Sequence, residues 1–159
     1  MSDVVLEEGQ LAPDFTLPVA GGGTVTLSEE LTKHARGVVV YFYPKASTPG
    51  CTKQACDFTD SFAGFKAAGY GVIGISPDSV AAQDRFAEKY SVPFALACDE
   101  DKAVSVAWGT WGEKKNYGRI FLGIRRSTFV VAPDGTLTKV AYNVKATGHV
   151  ARLRKELGI

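Results

Sequence analysis

This chain lacks long apolar runs, carries almost no net charge, and has few thiols or imidazoles. Its longest apolar stretch, GVVVYFY at 37–43, is far too short to cross a bilayer. The opening residues MSDVVLEEGQ are acidic and lack the basic-then-apolar order of a secretion signal, so the expected location is the cytoplasm. A formal net charge of +1 gives no reason to expect nucleic acid or an anionic membrane as a partner. Three cysteines are too few for a disulfide scaffold in 159 residues. In a reducing compartment, paired cysteines more often serve metal binding or redox chemistry. What is present, 45% apolar and 22% charged residues, fits one domain over 1–159 with a sizeable core.

No internal repeat, low-complexity tract or linker-like break divides the chain. DFTLP (14–18) and GGGTVTLS (21–28) read as a short N-terminal hairpin, and Ser28 as the cap of a helical stretch EELTKHA. GVVVYFY is apolar on both faces and reads as a buried central strand. A loop over 44–50 leads to a helix from Cys51 to about Ala68, then to the buried strand GVIGIS (71–76) and a helix over 79–90. FALAC (94–98) reads as a short strand, followed by a short helix. RSTFVVAPDGTLTKVAY (126–142) predicts a hairpin turning at Asp134-Gly135, and a last helix starts near Thr147. The order predicts an α/β fold with a central mixed β-sheet flanked by helices.

Two of the three cysteines lie five residues apart, in PKASTPGCTKQAC (44–56). On a helical wheel Ala55, Phe58, Phe62 and Phe65 cluster around Cys51, which therefore looks inward. Cys56 falls ~140° away, on the flank. An intact helix separates their Cα atoms by ~8.6 Å, whereas a disulfide needs ~4.4–6.8 Å. The two sulfurs can join only if the first turns unwind.

Thr48 suits an N-cap and Pro49 the first helical position, which puts Cys51 in the first turn. Unpaired N–H groups and the positive end of the helix dipole favour a thiolate there. The Thr48 hydroxyl can donate to a ligand or to the sulfur, and Pro44 ends the strand and shapes the loop. This constellation describes a nucleophilic cysteine. The plainer reading is a small buried core residue. A zinc site is not expected, because a C-x4-C pair lacks a second ligand pair and His34 and His149 belong to other segments.

YFYPKASTPGCTKQACDF contains P-x3-T-x2-C as Pro44, Thr48 and Cys51, and resembles the active-site loop of the peroxiredoxins. The C-x4-C spacing, with GEKKNYG (112–118) and GIRRSTFVVAPDG (123–135) downstream, is similar to the PrxQ or bacterioferritin comigratory protein (BCP) subfamily along essentially the whole chain. The resemblance implies a thioredoxin-like fold with an N-terminal β-hairpin extension. It implies reduction of hydrogen peroxide and organic hydroperoxides, without a cofactor or metal, with recycling by thioredoxin or a glutaredoxin-like donor. It assigns Cys51 as the peroxidatic cysteine, Cys56 as the resolving cysteine, and Thr48 and Pro44 to the peroxide pocket. Strand alternation alone leaves Arg125 and Arg126 equivalent; the resemblance selects Arg126. It also implies a monomer, since an intramolecular disulfide needs no second chain.

Two departures stand out. Gln54 is neutral where the family commonly has Glu, and it is not expected in the site. Cys98 is extra and lies beyond the helix that carries a resolving cysteine in some members, so it is expected to be structural. Trp108, Trp111 and Tyr117 read as a Gly-rich loop, and their aromatic rings as ordinary packing or an apolar rim for organic hydroperoxides. His34, His149, EKK (113–115) and RLRKE (152–156) are expected to face solvent. Two other functions fit a redox thiol pair. One is a thioredoxin-like disulfide oxidoreductase, which would want C-x-x-C; the other is a non-catalytic redox sensor.

Overall fold

The computed structural model describes residues 4–159. Chain order runs β1 (Thr16–Pro18), β2 (Thr24–Thr26), α1 (Leu27–Leu31), β3 (Gly37–Phe42), α2 (Pro49–Ala67), β4 (Tyr70–Ser76) and α3 (Val80–Tyr90). It continues with β5 (Ala95–Cys98), α4 (Ala103–Ala107), β6 (Trp111–Asn116), β7 (Arg119–Ile124), β8 (Ser127–Val131), β9 (Leu137–Ala141) and α5 (His149–Leu157). Five strands form the central sheet in the order β5-β4-β3-β8-β9. β3, β4 and β5 run parallel, while β8 and β9 are antiparallel to their neighbours. This is the mixed sheet that the early strand–helix alternation and the later hairpin predict.

β3 is buried along its whole length because both faces of the sheet are covered. Its period of two divides the core. Val38, Val40 and Phe42 face one layer with Leu27, Trp108, Ile75 and Phe129. Val39, Tyr41 and Tyr43 face the other, with Phe58 and Phe65 of α2, Phe86 of α3, and Val150 and Leu153 of α5. Burying each such Phe stabilises the fold by about 1.5–3 kcal/mol. The β1–β2 hairpin closes over the outer edge: Ala20 N–H donates to Leu96 O of β5 at 3.0 Å. α2 stops where Gly69 takes φ +91°, a left-handed conformation that suits glycine just past a helix end.

Several local expectations are corrected. α1 starts before Ser28, whose amide donates to Asp14 Oδ1 at 2.9 Å; an acidic side chain from upstream serves as the cap in its place. The supposed Gly-rich aromatic loop is the β6–β7 hairpin. Its turn uses Tyr117 and Gly118, both at positive φ, and tyrosine is an unusual residue there. The three aromatics do not cluster: Trp108 is fully buried and donates its indole N–H to Pro13 O at 3.1 Å, whereas Tyr117 is 96% exposed. His34 is half-buried against Glu30. Lys114 of EKK is also half-buried, and Leu153 of RLRKE is core.

His149 departs furthest from expectation. It is only 5% exposed, with Nε2 at 2.8 Å from Thr128 Oγ1 and its ring edge-on to Phe58. Burial pushes its pKa down to about 4, helped by Lys139, Arg152 and Arg126 and opposed by Glu156. Above pH 6.5 the ring is neutral whether the chain is folded or not. Between 6.5 and about 4 the unfolded chain takes up a proton that the folded chain refuses, so stability falls as pH falls. The loss is at most about 3 kcal/mol. Denaturant melts of wild type and His149→Gln across that window test this. The expected result is a flatter pH dependence in the variant; parallel curves would contradict it.

Candidate active site

The site lies where β3 ends and α2 begins. Tyr43 N–H donates to Ile75 O at 3.0 Å, and the chain then leaves the sheet at Pro44. A polar relay fixes the loop that follows. Tyr43 OH donates to Gln83 Oε1 (2.7 Å), Gln83 Nε2 to Ser76 Oγ (2.9 Å), Ser76 Oγ to Asp78 Oδ2 (2.7 Å), and Asp78 Oδ2 accepts Ala46 N–H (2.7 Å). Buried Gln83 and Ser76 thereby satisfy each other while holding the loop to β4 and α3.

Ser47 turns the loop at φ +67°, and Thr48 is the extended N-cap residue. The expected side-chain cap is not made: Thr48 Oγ1 donates instead to Lys45 O at 2.7 Å, which closes the loop on itself. The first helical bond runs from Thr52 N–H to Thr48 O, so the amides of Gly50 and Cys51 precede the helical ladder. α2 is continuous from Pro49 to Ala67 and carries both cysteines. Cys51 is 1% exposed on its inner face; Cys56 sits half-buried on the flank. All three cysteines are free thiols.

Arg126, in the short break between β7 and β8, reaches both inner residues of the first helical turns. Nη2 is 3.2 Å from Cys51 Sγ, and Nη1 donates to Gln54 Oε1 at 2.6 Å. A Cβ on residue 50 would stand 3.1 Å from Nη2, so Gly50 leaves the room the guanidinium uses. Arg125 points elsewhere, donating to Gly109 O at 2.9 Å. The geometry thus separates two arginines that strand alternation left equivalent.

Gln54, expected outside the site, is fully buried within it. Its wheel position, ~60° from Cys51, was the available signal. The relay residues Ser76, Asp78 and Gln83 were also missed; an Asp directly after a buried strand and beside a helix cap was their only trace. Nothing in the sequence singles out the Tyr41 hydroxyl. It is buried without a hydrogen-bond partner among the described residues, and its pKa is raised by burial and by Tyr43 and Cys51.

The electrostatic surroundings differ between the two thiols. Burial pushes the Cys56 thiol up, reinforced by Asp60 and Asp57 and opposed by Lys53. At Cys51 a guanidinium meets the sulfur directly, a donor suited to a negative sulfur or a negative ligand oxygen. Lys114 also comes within electrostatic range; burial lowers its pKa first, Arg126 lowers it further, and Cys51 opposes. Cys98 is buried at the end of β5, and burial with Glu100, Asp78 and Asp84 raises its thiol to about 11. Among the described residues no group of three or more His, Cys, Asp or Glu is placed to hold a metal ion, and no helix is long and apolar enough to cross a membrane. The arrangement offers a buried sulfur, a cationic donor on it and helix-start amides that precede the helical ladder. That set suits attack by sulfur with charge moving onto a leaving oxygen.

Comparisons with known proteins agree. The model of the AhpC/TSA family matches residues 9–140. A protein named as a peroxiredoxin in Mycobacterium tuberculosis (strain H37Rv) is 51% identical over 97% of this chain and 96% of its own. Peroxiredoxin Bcp of Bacillus subtilis (strain 168) is 42% identical over the same shares. A structure of Xanthomonas campestris bacterioferritin comigratory protein, described with its alkyl peroxide reduction activity, superimposes with a TM-score of 0.84 at 37% identity, covering 99% of this chain and 98% of that one. The mixed sheet and its helices are therefore the thioredoxin-like peroxiredoxin fold. From sequence and structure alike, this chain belongs to the AhpC/TSA family and, within it, to the Bcp/PrxQ peroxiredoxins.

Proposed function

We propose that Cys51 is the peroxidatic thiol of this thiol peroxidase and Cys56 its resolving thiol, with Arg126, Thr48 and Pro44 forming the peroxide pocket. The observation that carries the assignment is the Arg126 guanidinium 3.2 Å from Cys51 Sγ. The Cys51 thiolate attacks one peroxide oxygen in line; an S–O bond forms as the O–O bond breaks. Hydroxide or alkoxide leaves and takes a proton from solvent. Negative charge moves from sulfur to oxygen, and Arg126 with the amides at the start of α2 follows it. The thiolate is the attacking form, so no proton has to leave the nucleophile during this step. Cys51 becomes a sulfenic acid. The first turns of α2 open, and the Cys56 thiolate attacks Cys51 sulfur; the S–S bond forms as the S–O bond breaks, and the leaving hydroxide takes a proton from solvent to become water.

A dithiol protein then reduces the disulfide by exchange and is itself oxidised. Peroxiredoxins act on peroxides with a thiol reductant; for this chain we assign hydrogen peroxide and organic hydroperoxides as substrates and thioredoxin, or a glutaredoxin-like protein, as donor. The alkyl peroxide activity described for the Xanthomonas campestris relative supports the organic substrates. The protein works as a monomer of one domain, in cytoplasmic antioxidant defence. The shared sheet between its two core layers supports the single domain, and the two thiols on one helix support the monomer.

A coupled assay with thioredoxin, its reductase, NADPH and peroxide tests the cycle. Cys51→Ser is expected to abolish turnover. Cys56→Ser is expected to consume one equivalent of peroxide and then stall; sustained thioredoxin-driven turnover in that variant would remove Cys56 from the cycle. Stopped-flow oxidation of Arg126→Ala tests the arginine. Losing one charge-following donor is expected to slow the peroxide step by about 100-fold or more, and an unchanged rate would contradict the assignment.

A further inference from the structure

We propose that Gln54 is the positioning residue that sets how readily α2 opens, and so how oxidised Cys51 divides between disulfide formation and overoxidation. This rests on the assignment of Cys51 and Cys56 above. Cys51 and Gln54 are three residues apart on the inner face of α2, and the two ends of one guanidinium hold them. Gln54 lies inside the 51–56 segment, so bringing Cys56 to Cys51 breaks the Gln54–Arg126 bond. Once the Cys51 sulfur changes its bonding, Gln54 is what still ties the segment to Arg126.

The tether is a limited one. Gln54 Oε1 accepts from Arg126 Nη1 at 2.6 Å, but Gln54 Nε2 is buried with no hydrogen-bond partner among the described residues. A buried unpaired amide destabilises the closed helix, and water satisfies it when the helix opens. The acceptor is also neutral, so only one partner of the bond is charged. Both features favour opening. The sulfenic acid has two fates. The Cys56 thiolate displaces its oxygen, which leaves as water once protonated; or a second peroxide molecule transfers an oxygen to the sulfur, giving sulfinic acid and water or alcohol. The first fate needs the open segment and the second needs the closed pocket. Gln54 therefore acts on the ratio between them, which is set after the first oxidation.

Gln54→Glu tightens the tether twice over: the acceptor becomes charged and the unpaired N–H groups disappear. Gln54→Ala removes it. Rapid-quench mass spectrometry after a hydrogen peroxide pulse gives the rates of sulfenic acid, disulfide and sulfinic acid formation. In Gln54→Glu, disulfide formation from the sulfenic acid is expected to slow by about tenfold, with sulfinic acid appearing at correspondingly lower peroxide; both rates are counted from the sulfenic acid, so a change in the first oxidation does not enter the ratio. In Gln54→Ala the disulfide-to-sulfinic ratio is expected to rise. Amide exchange across 51–56 in the reduced proteins should be slower in the first variant and faster in the second. A merely structural role would lower stability in both without moving the ratio in opposite directions. A ratio unchanged within twofold in both folded variants, or shifted the same way in both, overturns the proposal; if Gln54→Glu does not fold, an unchanged or lowered ratio in Gln54→Ala does so alone. Wild-type protein that forms no Cys51–Cys56 disulfide overturns the assignment of the cysteines, and this proposal with it.

Discussion

One forked cation organises this site. The Arg126 guanidinium needs room, a rigid base and two acceptors three residues apart, and separate parts of the chain supply each. Gly50 leaves the space. The break between β7 and β8 supplies the base, held where Val144 N–H donates to Arg126 O at 2.8 Å. The first turns of α2 present Cys51 and Gln54 on one face. Arg125 is kept out of competition by its bond to Gly109 O, in space that Gly112 leaves open. A planar, permanently charged fork satisfies these constraints; a lysine, with one mobile charge centre, would not bridge two partners in fixed directions.

Around that cation the site is built in two halves with different anchors. The loop before α2 is secured by polar contacts running from Tyr43 through Gln83, Ser76 and Asp78 to Ala46 N–H. The helix is secured by apolar packing through Ala55, Phe58 and Phe65. The halves meet at Ser47 and Thr48, where a left-handed residue precedes an extended one. Cys51 stands just inside this junction and Cys56 well beyond it. The same stretch of backbone thus keeps one thiol buried beside a cation and the other on a flank among carboxylates.

Period and spacing carried most of the fold and the centre of the site. β3 declared itself by an apolar run with β-branched residues, and α2 by the wheel that gathers Phe58 and Phe65 around Cys51. What stayed illegible depended on partners distant in sequence. The resemblance selects Arg126 over Arg125, but the physical reason was hidden: Gly50 leaves room for one and Gly109 O holds the other, and neither marks an arginine pocket locally. His149 looked exposed from its place near a helix start, yet Phe58 and Thr128 enclose it. The β6–β7 hairpin was hidden by its glycines and by a tyrosine in the turn. Gln54 lacks the charge that marks this position in the family, but it lies on the inner face, where a neutral acceptor suffices to meet an arginine.

Phe58, two residues beyond Cys56, has a consequence for how this helix re-forms. It is fully buried and stacks on Tyr41 with ring centroids 4.5 Å apart, so it pins α2 just past the segment that the proposed Cys51–Cys56 disulfide would open. The turns from Phe58 to Ala67 are packed on the sheet through Phe58 and Phe65. Starting a helix from coil is the slow and unfavourable step, because several residues must be ordered before one hydrogen bond forms; adding turns to an existing helix is not. A segment unwound from Pro49 to Cys56 therefore rewinds by propagation from a standing template. In the proposed cycle each return to the closed state would then avoid nucleation, and the helix would open and shut without being rebuilt.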